Sequence, residues 1–227
     1  MWRTTVGPVA AAWGETVREE EAVLYGRRVR WDRFFEDLED QLDSEWEAER
    51  AALDTEAERL RMARLTMHER MTALARGTET PVTVDLLGDL SETGVVAGVG
   101  PDWIALDAPS APHHGAVLIP LSALVSVALP HAEVLRSARG ATPGRLQERM
   151  TFGFVLRDVV RRRVAVTVVT TGGRAFVGTA DRAASDHLDV ALHDRDAPRR
   201  ADLVTGHRII PFSAIAAVRL DAPIAVV

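Results

Sequence analysis

The sequence predicts an α+β fold that is mainly β: a long N-terminal helix followed by two tandem five-stranded barrels, each preceded by a short helix. Three observations carry this. Apolar residues recur at helical spacing from Trp31 to Leu60, short alternating β-branched runs fill the remainder, and that remainder repeats itself in three ordered blocks.

Residues 1–29 show no sustained period and contain Gly7-Pro8, Gly14 and Gly26, so a weakly ordered extension is expected. Val29 stands just before the first patterned segment, Arg30-Trp31-Asp32, where a GTG codon could start translation. Val6 to Trp13 after Arg3 only faintly imitate a signal peptide, because the apolar stretch is short and Glu19-Glu20-Glu21 follows.

Over residues 30–63, Trp31, Phe35, Leu38, Leu42, Trp46, Leu53, Ala57 and Leu60 lie three, four or seven apart, one face of an acidic amphipathic helix. Carboxylates crowd its first part while Arg59, Arg61 and Arg64 come late, an order that complements the helix dipole. Some 30 residues would extend roughly 45 Å, beyond a single small barrel. The stripe is therefore expected to cover both barrels, to pair with another helix, or both. A homotypic coiled coil through Trp31, Phe35, Leu38, Leu42, Trp46, Leu53 and Leu60 is one reading, and packing on its own chain is the other.

The duplication spans residues 64–130 and 149–221, separated by a connector at 131–148 and followed by a tail at 222–227. Leu65-Thr66-Met67 aligns with Met150-Thr151-Phe152, Gly88, Gly94 and Asp102 with Gly172, Gly178 and Asp186, and Ile119-Pro120-Leu121-Ser122-Ala123-Leu124 with Ile210-Pro211-Phe212-Ser213-Ala214-Ile215. In the first copy, strands are expected over Val82–Leu87, Gly94–Val99, Trp103–Leu106 and Val117–Val127, with a turn at Gly88-Asp89. The second copy has Val164 to Val169, a Gly172-Gly173 turn, Ala175–Ala180, Leu188–Leu192 and Arg208–Val218. Pro120 and Pro211 interrupt β-like runs and so mark an edge, a bend or a short helical turn. Closing each copy into a barrel would remove its exposed edges.

These residues resemble the Sm-like (Lsm, Hfq-like) family, one of the SH3-like small barrels, over about residues 64–129 and 149–220. Gly173-Arg174-Ala175-Phe176-Val177-Gly178 fits the Gly-x-x-x-x-Gly of the first family block, and Leu118 to Leu124 and Ile209 to Ile215 stand where the second belongs. The resemblance implies a short helix and a strongly bent five-stranded barrel. It does not carry over the family's RNA pocket. Where RNA-binding members have Asp and Asn, this chain has Gly100 and Ile104, and Ala184 and Leu188. Pro120-Leu121 and Pro211-Phe212 replace the family's Arg-Gly.

Composition narrows the functional classes. The chain contains no cysteine, which excludes disulfides and thiolate metal sites and favours a cytoplasmic setting. All 27 basic residues are arginine and there is no asparagine, as GC-rich bacterial coding would give. No apolar run reaches membrane-spanning length, so no membrane partner is expected. Net charge is −5 over residues 1–77, −5 over 78–140 and +4 over 141–227.

The basic third holds a candidate nucleic-acid site: Arg157, Arg161, Arg162 and Arg163 at the helix before the second barrel, with Arg195, Arg199, Arg200 and Arg208 in or near its long loop. A solvated helix end, with Arg161 to Arg163 suited to the C-terminal dipole, is the plainer reading. His113-His114 and His187 lack metal-ligand spacing, and no nucleophile elbow, P-loop or dinucleotide fingerprint is present. Asp102 and Asp186 fit local turn bonding, and Trp103 fits a barrel core better than a stacking platform.

The expected function is a non-enzymatic interaction scaffold without cofactor, homo-oligomeric through its helix and engaging a protein partner. An RNA- or DNA-binding regulator is the alternative, and a metal- or ligand-dependent enzyme a distant one.

Overall fold

A computed structural model of the chain describes residues 12–77, 79–108, 115–142, 144–194, 200 and 202–220. These residues divide into two compact units, Met1–Ala63 and Arg64–Val227.

The first unit is almost wholly helix α1, Ala12–Arg64. It begins at Ala12, well before residue 30 where the apolar spacing placed its start; residues 1–11 lie outside the described residues. Gly14 and Gly26 do not interrupt it, since an isolated glycine costs a helix only about 1 kcal/mol. At 1.5 Å per residue, the 53 residues extend roughly 80 Å.

The second unit opens with α2 (Met67–Ala75). Thr66 accepts from the Glu69 amide while the Glu69 carboxylate accepts from the Thr66 amide, a reciprocal cap that fixes where the helix starts. There follow β1 (Val82–Leu86), β2 (Leu90–Val99), β3 (Trp103–Ala108), β4 (Gly115–Pro120), a 3-10 turn at Leu121–Ala123 and β5 (Leu124–Ala128). The expected connector at 131–148 holds a helix, α3 (His131–Ser137), tied to α2 by Arg70 donating to Ser137 Oγ and Arg136 donating to the Ala73 carbonyl. The second half repeats the first with α4 (Phe152–Arg162), capped by Thr151, then β6 (Ala165–Thr170), β7 (Ala175–Ala183), β8 (His187–Leu192), β9 (Gly206–Pro211), a 3-10 turn at Phe212–Ala214 and β10 (Ile215–Leu220).

The repeat extends to individual bonds. Leu87 donates to the Ala123 carbonyl as Thr171 does to Ala214, and Leu121 donates to Asp102 as Phe212 does to Asp186. β5 pairs with β1 with the same register and the same irregularity that β10 shows against β6. Pro120 and Pro211 each end a strand and lead into the 3-10 turn, where a missing amide donor costs no ladder bond.

The two halves are not separate closed barrels. All ten strands form one open antiparallel sheet in the order β5-β1-β2-β3-β4-β10-β6-β7-β8-β9. The 3-10 turn after β4 carries β5 across to β1, so β4 keeps an edge that its own half does not use. β10 fills it, with Val218 opposite Leu118 and Arg219 opposite Val117. The cores follow the strands across this seam. Trp103, Ala105 and Leu118 join Phe152, Leu156, Val166 and Leu188, while Val169 and Ala217 join Met71, Leu74, Ile104 and Ile119. Trp103 is fully buried and donates its indole N–H to the Met150 carbonyl, a core role as its sequence context suggested.

Gly94 and Gly178 sit at matched places in β2 and β7, where a Cβ would run into the carbonyl oxygens of Asp107 and Ala191. Gly178→Ala should therefore force neighbouring backbone apart and lower stability by about 1–3 kcal/mol. A lower urea midpoint at unchanged m-value is the expected reading.

Candidate functional site

Two surfaces collect the residues singled out from the sequence. On α1, Trp31, Phe35, Leu38, Leu42, Trp46, Leu53 and Leu60 are between 43% and 64% exposed, so the apolar stripe is uncovered along its length. At 100° per residue these positions fall within roughly 80° of arc. Phe34, absent from the spacing pattern, is also half-exposed and adds a third ring to Trp31 and Phe35, with centroids 5.8–6.1 Å apart. Three residues after Trp31 and four before Leu38, it stands about 40° outside the arc of the other seven.

The second surface lies beside α4. A hydrophobic face seats the helix: Phe152, Val155, Leu156 and Val159 are buried, which turns Arg157, Arg161 and Arg162 outward. Arg163 ends the helix in the left-handed conformation, φ 53°, with its amide turned back to the Val159 and Val160 carbonyls. A groove of about 460 Å³ between this end and β7 is lined by Arg161, Arg163, Asp181 and Arg182, and it adjoins a second hollow that reaches Arg157, His187 and Asp189. Arg182 was not anticipated. It stands on a strand opposite Asp189, and only strand register, which no helical spacing reports, brings it to the end of α4.

The electrostatics of this groove are mixed. Asp158 takes both Arg161 and Arg162, the latter at 2.7 Å, and so offsets the two cations on the helix end. Arg157 donates to the Ala184 carbonyl at 3.4 Å. His187 Nδ1 donates to the Asp186 carboxylate at 2.7 Å, which holds that carboxyl below its usual range. Arg208 is not part of this lining. It and Arg174 place their guanidinium carbons 5.8 and 5.6 Å from the Phe176 ring, a cation–π pairing that occupies both. Arg200 is exposed, and Arg195 and Arg199 lie outside the described residues, as does His113-His114.

Asp102 does more than its turn requires: its carboxylate accepts from the Phe152 amide at 2.8 Å and anchors the start of α4 to the first half. Among the described residues no cluster of three or more His, Asp or Glu side chains is placed to hold a metal ion. No helix among them is long and apolar enough to cross a membrane. Comparison with protein-family models, with curated proteins and with solved structures gives no match, so any function has to be argued from this chain's own residues.

If nucleic acid uses the α4 groove, Asp158 opposes it. Asp158→Asn would release Arg161 and Arg162 and should tighten binding to single-stranded RNA or DNA, with the logarithmic salt slope steepening by about 0.7 for each phosphate gained. Gel shifts of the two proteins at low and moderate salt measure this. Equal mobility of the probe with both proteins removes the groove as a nucleic-acid surface.

Proposed function

We propose that the chain is a non-enzymatic scaffold in which a tandem Sm-like sheet unit is brought into assemblies by pairing of α1 with α1 of a second copy. The observation that carries this is the exposed stripe itself. An apolar face of this length left in water on one helix is what a partner helix removes. Each side chain, about half-exposed now, would contribute on the order of 1 kcal/mol if buried.

A second copy suits α1 better than an unrelated helix on grounds of charge. Between residues 33 and 49 acids dominate, whereas Arg59, Arg61 and Arg64 gather near the end. An antiparallel pair would set each acidic stretch against the other copy's arginines. Arg59 and Arg61 already face Glu56 and Glu58 at 3.7 and 2.6 Å, and such exposed pairs cost little to rearrange. Trp46, which lies within the overlap of the two helices, would supply an aromatic anchor of the kind that dominates many interfaces.

The Sm-like reading draws support from the strand order, in which the fifth strand of each half returns to the first after a short 3-10 turn. Binding of RNA or DNA is the second reading. It rests on the groove between α4 and β7 and is weakened by Asp158, Asp181 and Asp189 beside its arginines.

Leu38→Asp combined with Leu42→Asp places two charges in the stripe of each copy. The molar mass from light scattering should fall by half or more, with helix content in circular dichroism preserved. An unsubstituted chain that is already monomeric, or a doubly substituted one of unchanged mass, rejects the α1 pairing.

A further inference from the structure

The stripe on α1 carries a longer period than its helical spacing alone. Trp31, Phe35 and Leu38 stand at intervals of four and three, and the same intervals return 11 residues later at Leu42, Trp46 and Glu49, and again at Leu53, Ala57 and Leu60. Eight of these nine positions are apolar, and all nine are exposed on one uninterrupted helix. The next places on either side hold Arg27 and Arg64, so the repeat ends there. Eleven residues in three turns is about 3.67 per turn, slightly above the 3.6 of a straight helix, whereas a heptad repeat needs 3.5. A partner helix following this stripe lies nearly straight, with a slight right-handed winding.

We infer that α1 pairs antiparallel with α1 of a second copy in a single register, with Trp46 against Trp46 at the two-fold axis. This rests on the α1 pairing proposed above and fixes how the second copy lies. Only this antiparallel register uses all nine positions: Trp31 meets Leu60, Phe35 meets Ala57, Leu38 meets Leu53, Leu42 meets Glu49, and Trp46 meets its own copy. The smallest side chain of the stripe, Ala57, falls against the bulky Phe35. Such a contact is self-complementary and closes at two copies.

Charge alone favours another offset. Sliding the helices by 11 residues brings Arg59, Arg61 and Arg64 nearest Asp43, Asp40 and Glu39, but it leaves Trp31 and Phe35 beyond the end of the other helix. Exposed ion pairs contribute little and are screened by salt, whereas each buried aromatic side chain removes about 150–250 Å² from water. The apolar register therefore wins, and in it the arginines meet only the beginning of the acidic stretch, at residues 32–36. It also sets the two Arg64 ends, where the Arg64–Val227 units begin, about 55 Å apart at opposite ends of the pair. Paired α1 helices then hold the starts of two sheet units apart.

The absence of cysteine makes the register directly testable in the full chain. Protein carrying both Leu38→Cys and Leu53→Cys, dimeric by light scattering when reduced, should give a disulfide-linked dimer on oxidation, and either substitution alone several-fold less. A bridge within one chain is excluded, because the two positions lie about 22 Å apart along the helix. A parallel pair would link each single variant to itself, and the charge-matched offset would link a chain carrying Leu42→Cys and Leu60→Cys instead. Either result, or a dimer in which Leu38→Cys and Leu53→Cys do not link, overturns the register and leaves α1 pairing in place. A chain that is monomeric before any substitution removes the pairing itself, and the register with it.

Glu49→Leu gives the second arm. It changes an exposed residue and fills the one polar position of the repeat in both copies, so the dissociation constant of the pair should fall at least about tenfold in light scattering across a dilution series. An unchanged or higher constant places residue 49 outside the contact and overturns the 11-residue repeat.

Discussion

Backbone hydrogen bonding across β4 and β10 is the constraint on which the Arg64–Val227 unit depends. β4 is buried along its whole length, and its amides and carbonyls need partners on both sides. β3 supplies one side along the whole strand, and β10 the other at Val117 and Leu118. Without β10 the core would open at Leu118, Val117 and Trp103, and those side chains would meet water together with unpaired peptide groups. Each half therefore completes the other, and the apolar clusters interleave across the seam in both directions. Asp102 and the Trp103 indole reinforce the same junction by holding Phe152 and Met150 at the entrance to α4.

Within this shared frame the halves have diverged in polarity. In the first, Asp85 accepts from Ser91 at 2.7 Å and Ser126 at 2.5 Å, which links β1 to both neighbours and keeps the carboxyl below its ordinary range. The counterparts of Asp85 and Ser126 in the second half are Val169 and Ala217, both buried, because there the equivalent strands lie in the middle of the sheet. The same backbone position is thus polar where it lies toward an edge and apolar where the seam covers it. The arginines show a related economy. Arg161 and Arg162 on α4 are held by Asp158, and those near Phe176 by the ring, so much of the positive charge in the second half is committed locally.

The functional reading follows from surfaces more than from any cavity. α1 presents an apolar stripe that association would cover, and it can be altered without touching a buried residue. The groove at the end of α4 is chemically more ambivalent, since carboxylates and guanidinium groups alternate around it.

Much of the fold was legible in the residues. The 3.6-residue stripe from Trp31 to Leu60 marked the later part of α1, the alternating valines marked β1 and β6, and Leu65-Thr66-Met67 with Met150-Thr151-Phe152 marked matched positions in the two halves. Pro120 and Pro211 pointed to the short turns, and the three aligned blocks to a duplicated strand order. The apolar stripe was readable too, apart from Phe34. Arg182 and the capture of Arg161 and Arg162 by Asp158 were not, because they depend on which strand lies beside α4 and how its rotamers settle. These outcomes divide along one physical line. Helical periods, caps and turns depend on a residue and its near neighbours, so the sequence by itself determined them. Which strand completes β4 depends on backbone groups that are alike in every residue and on chain segments about a hundred positions apart, so only the tertiary structure decided that the two halves would share one open sheet instead of closing separately.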